Sequence, residues 1–460
     1  MNEDLNVYEG TLFDPSGGGE LVSDGVIAVE DGTTIFAGSR DQFEAQEGLS
    51  ERVKALLAGR PVEPNANLVI IPGFSDTHTH AFQPEGIPGV LIENKAAEGL
   101  KPDFQGWLPE TLKFETAVRK DPELAGKIAA YRFEEYKRHG ITSSLEYTTS
   151  SIEALRIVLE EAKKAGLEGR VKAGYVAMDQ GVNFIEGVDL EVTGEEAQDA
   201  VIQQVRELME EFPGQIVVID RFTLAVSSSY RRKWAALAKE KGVLFETHAG
   251  ESQGEFDIHS GMEDYKGRGM IEVLFEDGVF DPGMKVGLAH AIHFSPYELG
   301  IMKSAIHQDG VQVFARLCPD SNGNLGSHLW DGEYVPLNRA GLLDAGIQLT
   351  LGTDKGAGTG WSMAAEALKE RARPHKGPAP TELELLQMAT TNGSRSLGLS
   401  EGWVVGQRPN FIGVNTWSPH WSAVGQDRTS NRGELAARVL RWAQDPDRIR
   451  EVVVNGQRLK

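Results

Sequence analysis

The chain reads Leu68-Val69-Ile70-Ile71-Pro72-Gly73-Phe74-Ser75-Asp76-Thr77-His78-Thr79-His80 at the point from which its fold can be predicted. The first four residues form a short apolar run, which is typical of a buried strand. Side chains two residues apart on a strand point to the same face, so the imidazoles of His78 and His80 converge on one point. Two imidazoles that converge past a strand are half of a zinc site, and the pattern therefore favours metal-assisted chemistry.

Three later segments repeat this arrangement, in which a short apolar strand ends in a side chain suited to metals and a loop of small residues follows. The side chains at these strand ends are His248 after Gly242-Val243-Leu244, His290 after Met284-Lys285-Val286-Gly287, and Asp354 after Ala345-Gly346-Ile347-Gln348. A single His-x-His pair is weak evidence, because such pairs arise by chance. Four strand ends that carry His or Asp together predict a metal centre.

Composition limits the class of protein and of partner. The chain has 460 residues, of which 40% are hydrophobic and 25% charged, as in a soluble globular protein with a large core. Its 46 basic and 68 acidic side chains give a formal charge of -22. This charge repels polyphosphates, so we expect no nucleic-acid partner, whereas a neutral small-molecule substrate is compatible with it.

The compartment is predicted from cysteine content and from the ends of the chain. Cys318 is the only cysteine and forms no internal disulfide, which suits a reducing compartment. The first residues, Met1-Asn2-Glu3-Asp4, are acidic and unlike a signal peptide. No segment reaches the roughly 18 apolar residues that span a bilayer. We therefore expect a cytoplasmic protein without a membrane partner.

Short apolar strands alternate with helical stretches from residue 68 to residue 398. One of these helices is predicted to begin with Asp121 as N-cap and Pro122 as its first residue, and to end at His139. Repeated strand–helix units imply a parallel sheet, and ligands at many successive strand ends imply a closed (β/α)8 barrel of the α/β class. An open doubly wound sheet instead gathers its ligands at one switch point.

The two ends of the chain differ from this central part, because they are rich in strand and turn signals. Residues 1–67 and 399–460 are predicted to pair into one small β-sandwich domain beside the barrel of residues 68–398. Asn455-Gly456 is a hairpin-type turn within the C-terminal segment.

Taken together, the chain resembles the amidohydrolase superfamily over nearly its whole length, and within it the guanine deaminases. The segments that carry the resemblance are Pro72 to Gln83, Trp107-Leu108, Phe114-Glu115, Arg221-Phe222, His248 with Glu251, His290, Cys318-Pro319-Asp320-Ser321-Asn322, Gly352-Thr353-Asp354, Gly356, Gly358 and Ser362-Met363. Many members share the metal motifs. Gln83 and Arg221-Phe222 are the more selective features.

The resemblance implies a set of metal ligands and a cofactor. The implied ligands of one Zn²⁺ per chain are His78, His80, His248 and Asp354. This set leaves a further position for water, as a catalytic zinc requires. Imidazole and carboxylate ligands also suit iron, so the choice between Zn²⁺ and Fe²⁺ stays open here.

The resemblance further implies hydrolysis of guanine at C2, with xanthine and ammonia as products, by a homodimer. In this interpretation Asp354 accepts the proton of the water, and His290 hydrogen-bonds the hydroxide and the tetrahedral intermediate. Glu251 carries a proton to the ring nitrogen beside the attacked carbon and then to the leaving amine. Gln83 and Arg221 hydrogen-bond the purine edge, and Phe222 offers an aromatic face.

Several positions depart from the family pattern and keep alternatives open. They are Ile219-Asp220 before Arg221, Gly250 before Glu251, and Lys355, whose charge either depresses the pKa of Asp354 or points to solvent. Arg221 could instead pair with a structural carboxylate, and His293 competes with His290 for its role. Alternative functions are a deaminase of a pterin, an oxidised purine or a triazine-like ring, a hydrolase of a cyclic amide or a carbon–halogen bond, and a catalytically inactive barrel that serves as a scaffold.

Overall fold

The computed structural model of the chain describes residues 5–17, 19–56, 67–83, 104–180, 192, 194–418 and 431–460. His420, which we expect to be a surface or structural histidine, lies outside these ranges. The described residues form a mixed α/β structure.

The strands fall into a sheet built from both ends of the chain and two parallel sheets built from its centre. In chain order they are β1 (Leu5–Phe13), β2 (Leu21–Glu30), β3 (Thr33–Ser39), β4 (Leu68–Pro72), β5 (Phe74–His80), β6 (Ile141–Tyr147), β7 (Val171–Gly174), β8 (Val176–Ala177), β9 (Val218–Phe222), β10 (Leu244–Ala249), β11 (Lys285–His290), β12 (Gln312–Leu317), β13 (Leu329–Trp330), β14 (Glu333–Tyr334), β15 (Gln348–Leu351), β16 (Phe411–Asn415), β17 (Ile449–Val454) and β18 (Gln457–Arg458). Within the described ranges, the short strands β13 and β14 pair only with each other.

Helices connect most of the central strands. In chain order the described helices are α1 (Arg40–Glu44), α2 (Glu47–Leu56), α3 (Phe104–Arg119), α4 (Pro122–His139), α5 (Ile152–Lys164), α6 (Glu195–Glu211), α7 (Ser228–Lys241), α8 (Gln253–Gly261), α9 (Met270–Glu276), α10 (Pro296–Asp309), α11 (Pro319–Asn324), α12 (Arg339–Asp344), α13 (Met363–Ala372), α14 (Glu382–Ala389), α15 (Thr391–Ser396) and α16 (Arg432–Trp442). The predicted start of α4 is confirmed, because the Asp121 carboxylate accepts the backbone N–H of Leu124 at 3.0 Å. Among these helices, none has the length and apolar character needed to cross a bilayer.

The sheet built from both ends of the chain has seven strands in the order β18-β17-β16-β4-β1-β2-β3. Strand β4 is its link, since it pairs in parallel with β1 and antiparallel with β16. Val69 and Ile71 pack into the main core, whereas Leu68 and Ile70 pack against Tyr8 on the other face. Because β4 is covered on both faces, it reads as a continuous apolar run.

Leu68–Pro72 therefore lies in the terminal sheet and not at the start of the predicted barrel segment. His78 and His80 lie on the separate strand β5, which begins after Gly73. The hairpin predicted at Asn455-Gly456 is confirmed, because β17 and β18 pair antiparallel through Val454 and Gln457. Both turn residues have positive φ, as a two-residue hairpin turn requires.

The central strands form two parallel sheets, β5-β6-β7 and β8-β9-β10-β11-β12-β15. Only Tyr175 separates β7 from β8, and Ala173 forms an isolated parallel bridge to Ile216, two residues before β9 begins. At the opposite side, the Thr77 hydroxyl on β5 donates to the Leu351 carbonyl on β15 at 2.8 Å. No ladder joins β5 to β15 in the described residues.

A fully buried ion pair lies between the central strands. Arg316 on β12 donates to one carboxylate oxygen of Glu246 on β10, at 2.6 and 3.2 Å. The same guanidinium donates to Thr350 on β15 at 3.3 Å, so it connects three parallel strands through side chains. Burial raises the pKa of Glu246, and the charge of Arg316 opposes this effect.

Removal of one partner of this pair should destabilise the fold. We expect Arg316→Met to lower the free energy of unfolding by about 3–5 kcal/mol, because it leaves the Glu246 carboxyl buried without its cation. The measurement is the urea midpoint, with Lys239→Met as control. Lys239 pairs with Asp281 at 2.8 Å on the surface, and its loss should cost less than about 1 kcal/mol. Equal midpoints for the two variants would contradict the role of the buried pair.

Candidate active site

The ends of the parallel strands bring the predicted site residues together around one cavity. The cavity is lined by His80, Gln83, Leu108, Arg221, Phe222, His248, Glu251, His290 and Asp354. The ring of His78 packs edge-on against those of His80 and His248, with centroids 5.3 and 4.9 Å apart. All nine residues predicted from the sequence are therefore neighbours, and of the lining residues only Leu108 was not among them.

Three histidines and one aspartate form the base of this cavity. The Nε2 atoms of His80 and His248 are 3.2 Å apart. Oδ1 of Asp354 lies 3.5 Å from Nε2 of His78 and 3.4 Å from Nε2 of His80. Possible ligand atoms of His78, His80 and His248 all lie within 4.8 Å of one another, and so do those of His78, His290 and Asp354.

The protonation states of these groups fit a metal ion. Burial lowers the pKa of His80 and of His248, so both imidazoles are neutral and carry a lone pair. Burial alone would raise the pKa of Asp354, but His78 and the other imidazoles outweigh it and hold the pKa well below its usual value. Metal ligation requires neutral imidazoles and an ionised carboxylate.

Unsatisfied polar atoms point to the same conclusion. Both ring nitrogens of His78 and Nδ1 of His80 are buried without a hydrogen-bond partner in the described part of the chain. An unpaired buried polar atom is costly, and a metal ion at the cluster would account for Nε2 of His78, which lies 3.5 Å from Oδ1 of Asp354. Three neutral imidazoles and one carboxylate are a donor set that zinc and iron both accept.

Neighbouring groups orient the site residues. Nδ1–H of His248 donates to the Arg221 carbonyl at 2.6 Å, which turns Nε2 toward the cluster. In the same way Nδ1–H of His290 donates to the Asn322 side-chain oxygen at 2.8 Å. The Ser321 hydroxyl donates to Oδ2 of Asp354 at 2.6 Å, so that Oδ1 faces the histidines.

Glu251 lies in the loop after β10 and faces His290. Its Oε1 is 3.7 Å from Nε2 of His290. Burial raises the pKa of Glu251, so this carboxyl can hold a proton closer to neutral pH than an exposed one. The loop is fixed from behind, because the backbone N–H of Glu251 donates to the Glu255 carboxylate at 2.8 Å.

Arg221 is paired with a carboxylate, as one interpretation of the sequence allowed. Its two terminal nitrogens donate to Glu115 on α3 at 2.8 and 3.1 Å. Gln83 donates its Nε2 to the same carboxylate at 3.1 Å. All three residues are buried. Arg221 also lines the cavity, so pairing with Glu115 and contact with a ligand are compatible.

Phe222 contributes to an apolar wall beside the polar end of the cavity. It packs in a cluster with Leu108, Met178 and Leu325. An apolar wall next to a few convergent polar groups is typical of a small-molecule site.

The departures from the family pattern have structural explanations. Asp220 is buried and accepts Nε–H of Arg231 at 2.5 Å, so it belongs to the packing of α7 against β9. Gly250 has φ of 68°, and a Cβ at this position would lie 2.9 Å from the Phe294 ring. A serine there would be strained.

Two other open choices are also decided. Lys355 does not point to solvent: it is buried, donates to the Thr359 carbonyl at 3.0 Å and lies over the Trp361 ring. His293 donates to the Ser327 carbonyl at 2.6 Å, and it is His290 that faces Glu251.

Tyr147 is the main contributor that the sequence interpretation missed. It ends β6, and its ring packs edge-on against His78 and His248 with centroids 4.6 and 4.9 Å apart. Its position at a strand end, like that of the histidines, was the signal that could have identified it.

The backbone of two site residues is strained, because His290 and Asp354 have positive φ, 70° and 45°. Such backbone strain is concentrated at functional sites.

A family model and a related protein sequence agree on the family to which the chain is similar. The model of the amidohydrolase family matches residues 69–458. A probable guanine deaminase from Deinococcus radiodurans is 30% identical over 443 residues, which cover 93% of this chain and 88% of that protein.

Two solved structures share the fold. The guanine deaminase from C. acetobutylicum with bound guanine has a TM-score of 0.75 at 20% identity, with 99% of this chain and 100% of that chain covered. The E. coli guanine deaminase has a TM-score of 0.75 at 20% identity, with 98% and 99% covered. With a family match over most of its length, the chain belongs to the amidohydrolase family.

Proposed function

We propose that this protein catalyses the hydrolytic deamination of guanine to xanthine and ammonia. The observation that carries the proposal is the buried cluster of three histidines and Asp354, which faces Glu251 and His290 across a narrow cavity. The relative from Deinococcus radiodurans, named a probable guanine deaminase, supports the choice of substrate. The retained donor set argues against a catalytically inactive scaffold.

His78, His80, His248 and Asp354 would hold one Zn²⁺ per chain. When bound, zinc supplies the Lewis acidity that makes water a nucleophile near neutral pH. The neutral imidazoles and the orienting hydrogen bond from His248 to the Arg221 carbonyl support this assignment.

Three side chains move or hold protons during the reaction. Asp354 accepts a proton from the attacking water while the oxygen of that water bonds to C2 of guanine. Glu251 delivers a proton to N3, the ring nitrogen beside C2. Glu251 then assists departure of the amine by taking the remaining proton of the added hydroxyl as the C2 carbonyl forms. The exocyclic amine takes the proton held by Asp354 and leaves as ammonia when its bond to C2 breaks. His290, held by Asn322, hydrogen-bonds the oxygen that adds to C2. The raised pKa of Glu251 suits proton exchange near neutral pH.

Gln83, Arg221 and Phe222 would bind the purine. The first two offer hydrogen-bonding groups at the polar end of the cavity, and the third offers its ring in the apolar wall. Removal of the Arg221 or Gln83 side chain should therefore weaken binding of guanine more than binding of a ring that lacks the same polar edge.

The finer architecture and the setting are part of the proposal. We expect the two parallel sheets to close into a (β/α)8 barrel. The hydrogen bond from Thr77 on β5 to the Leu351 carbonyl on β15, which connects edge strands of the two sheets, supports this closure. Residues 1–67 and 399–460 would complete a β-sandwich around their seven-stranded sheet, which also includes Leu68–Pro72. The rest of residues 68–398 would form the barrel domain. We also propose a cytoplasmic homodimer in purine catabolism, with a small-molecule substrate and neither nucleic acid nor membrane as partner.

Zinc content tests the metal assignment. After chelation and zinc repletion, we expect about one zinc per chain and a higher melting temperature, because a ligand of the folded state stabilises it. His80→Ala should lose most of the bound zinc and the thermal shift, whereas the exposed His307→Ala should keep both. Elemental analysis and thermal melting give the readouts. Equal zinc binding by the two variants would show that His80 is not a ligand. Iron found in freshly purified protein would identify iron, and not zinc, as the bound metal.

Ammonia release tests the reaction and the role of Glu251. Zinc-loaded protein should release ammonia from guanine, and Glu251→Gln should lower kcat by at least about 100-fold, because the amide cannot transfer the proton. The exposed Glu196→Gln serves as matched control and should keep full activity. If zinc-loaded protein does not turn over guanine, guanine is not the substrate, and pterins and oxidised purines would be screened next. Activity retained in Glu251→Gln would overturn the proton-transfer role.

A further inference from the structure

Glu115 lies behind the polar end of the cavity. It is buried on α3 and is not among the residues that line the cavity, whereas its two partners, Arg221 and Gln83, are. Nη2 of Arg221 and Nε2 of Gln83 both donate to Oε1 of Glu115, each at 3.1 Å. Because they share one acceptor atom, the guanidinium and the amide lie side by side.

The carboxylate determines which way the Gln83 amide points. A carboxylate bound to a guanidinium only accepts hydrogen bonds, so Gln83 must turn its NH₂ group toward Glu115. Oε1 of Gln83 is consequently the atom left for other contacts. This oxygen is buried and has no hydrogen-bond partner in the described residues. It lies beside Gly356, where a Cβ would approach it to 2.5 Å, so the glycine leaves space next to this oxygen that a larger residue would fill.

Arg221 presents the opposite polarity. A guanidinium carries five N–H donors and no acceptor, and two of the donors of Arg221 are directed at Glu115. The ion pair also neutralises the charge at this end of the cavity. This end of the cavity therefore offers a donor and an acceptor next to each other, and the charges of Arg221 and Glu115 cancel there.

We propose that Glu115 is a positioning residue that sets the hydrogen-bond polarity of the substrate pocket, so that the pocket selects a lactam edge. A lactam places a C=O acceptor next to an N–H donor, which complements Arg221 and the Gln83 oxygen. A ring with an exocyclic amine and an unprotonated ring nitrogen has the reversed polarity and leaves both protein groups unpaired. The inference rests on the proposed function, since the C6 carbonyl and N1–H of guanine are such an edge.

Binding of two ring analogues tests the polarity without any turnover. Hypoxanthine has the lactam edge, and adenine has the reversed edge. Both are measured by calorimetry in zinc-loaded Glu251→Gln protein, so that neither ring is consumed. We expect hypoxanthine to bind at least about 100-fold more tightly than adenine. Adding Glu115→Gln should reduce this preference at least about tenfold, because an amide at position 115 lets the Gln83 amide adopt either orientation.

Two comparisons separate positioning from general damage. Glu135→Gln alters another buried glutamate that pairs with an arginine, Arg138 at 2.8 Å, and should keep the preference. Gln83→Met removes the acceptor, and in that background Glu115→Gln should lower the preference little further. If Glu115→Gln does not fold, Glu115→Asp keeps the charge on a shorter side chain, and we expect a partial loss of preference.

The outcomes distinguish this inference from the proposed function. An unchanged hypoxanthine preference in Glu115→Gln, with guanine still deaminated by the wild-type enzyme, would overturn the inference and leave the function intact. A preference that depends on Glu115, without guanine deamination by the wild-type enzyme, would overturn the function and leave the inference intact. A loss of affinity that is equal for both rings would show a structural role only and would also overturn the inference.

Discussion

The common direction of the central strands is the constraint on which the site depends. In β5, β10 and β11 the chain runs the same way, so their carboxyl ends open at one edge of the structure. A parallel arrangement needs a crossover between strands, and the helices that provide it also cover the sheets. Histidines that are more than two hundred residues apart in the chain thereby converge within a few ångströms.

Burial of the site has an electrostatic cost that neighbouring groups offset. His248 and His290 each donate Nδ1–H to an oxygen, which leaves Nε2 for the cavity. Asp354 keeps its charge because imidazoles surround it, although burial acts in the opposite direction. Deeper in the structure, Arg316 compensates Glu246 in the same way. Within the site, Nε2 of His78 and the Gln83 oxygen have no hydrogen-bond partner in the described residues, and we assign a metal to the first and a substrate to the second.

The candidate site was predictable to a large extent because its ligands sit at strand ends. A short apolar run followed by a His or Asp is a local pattern, so His78, His80, His248, His290 and Asp354 could be identified one segment at a time. The elements between them were also largely predictable, as the N-cap of Asp121 shows. Pairing was not. Strand β4 joins the terminal sheet, since whether an apolar run is covered by one core or another depends on distant residues.

The sequence by itself determined the donor set, the alternation of strands and helices and the turn chemistry, because each depends on residues close together in the chain. Only the tertiary structure decided the environment of each side chain. It buried Lys355 over Trp361, assigned Asp220 to Arg231, placed Tyr147 under the histidines and set Glu115 behind Arg221. These outcomes depend on which groups approach one another from different strands and helices. Burial and partner together set the charge and orientation of a side chain, and neither can be read from its neighbours in the chain.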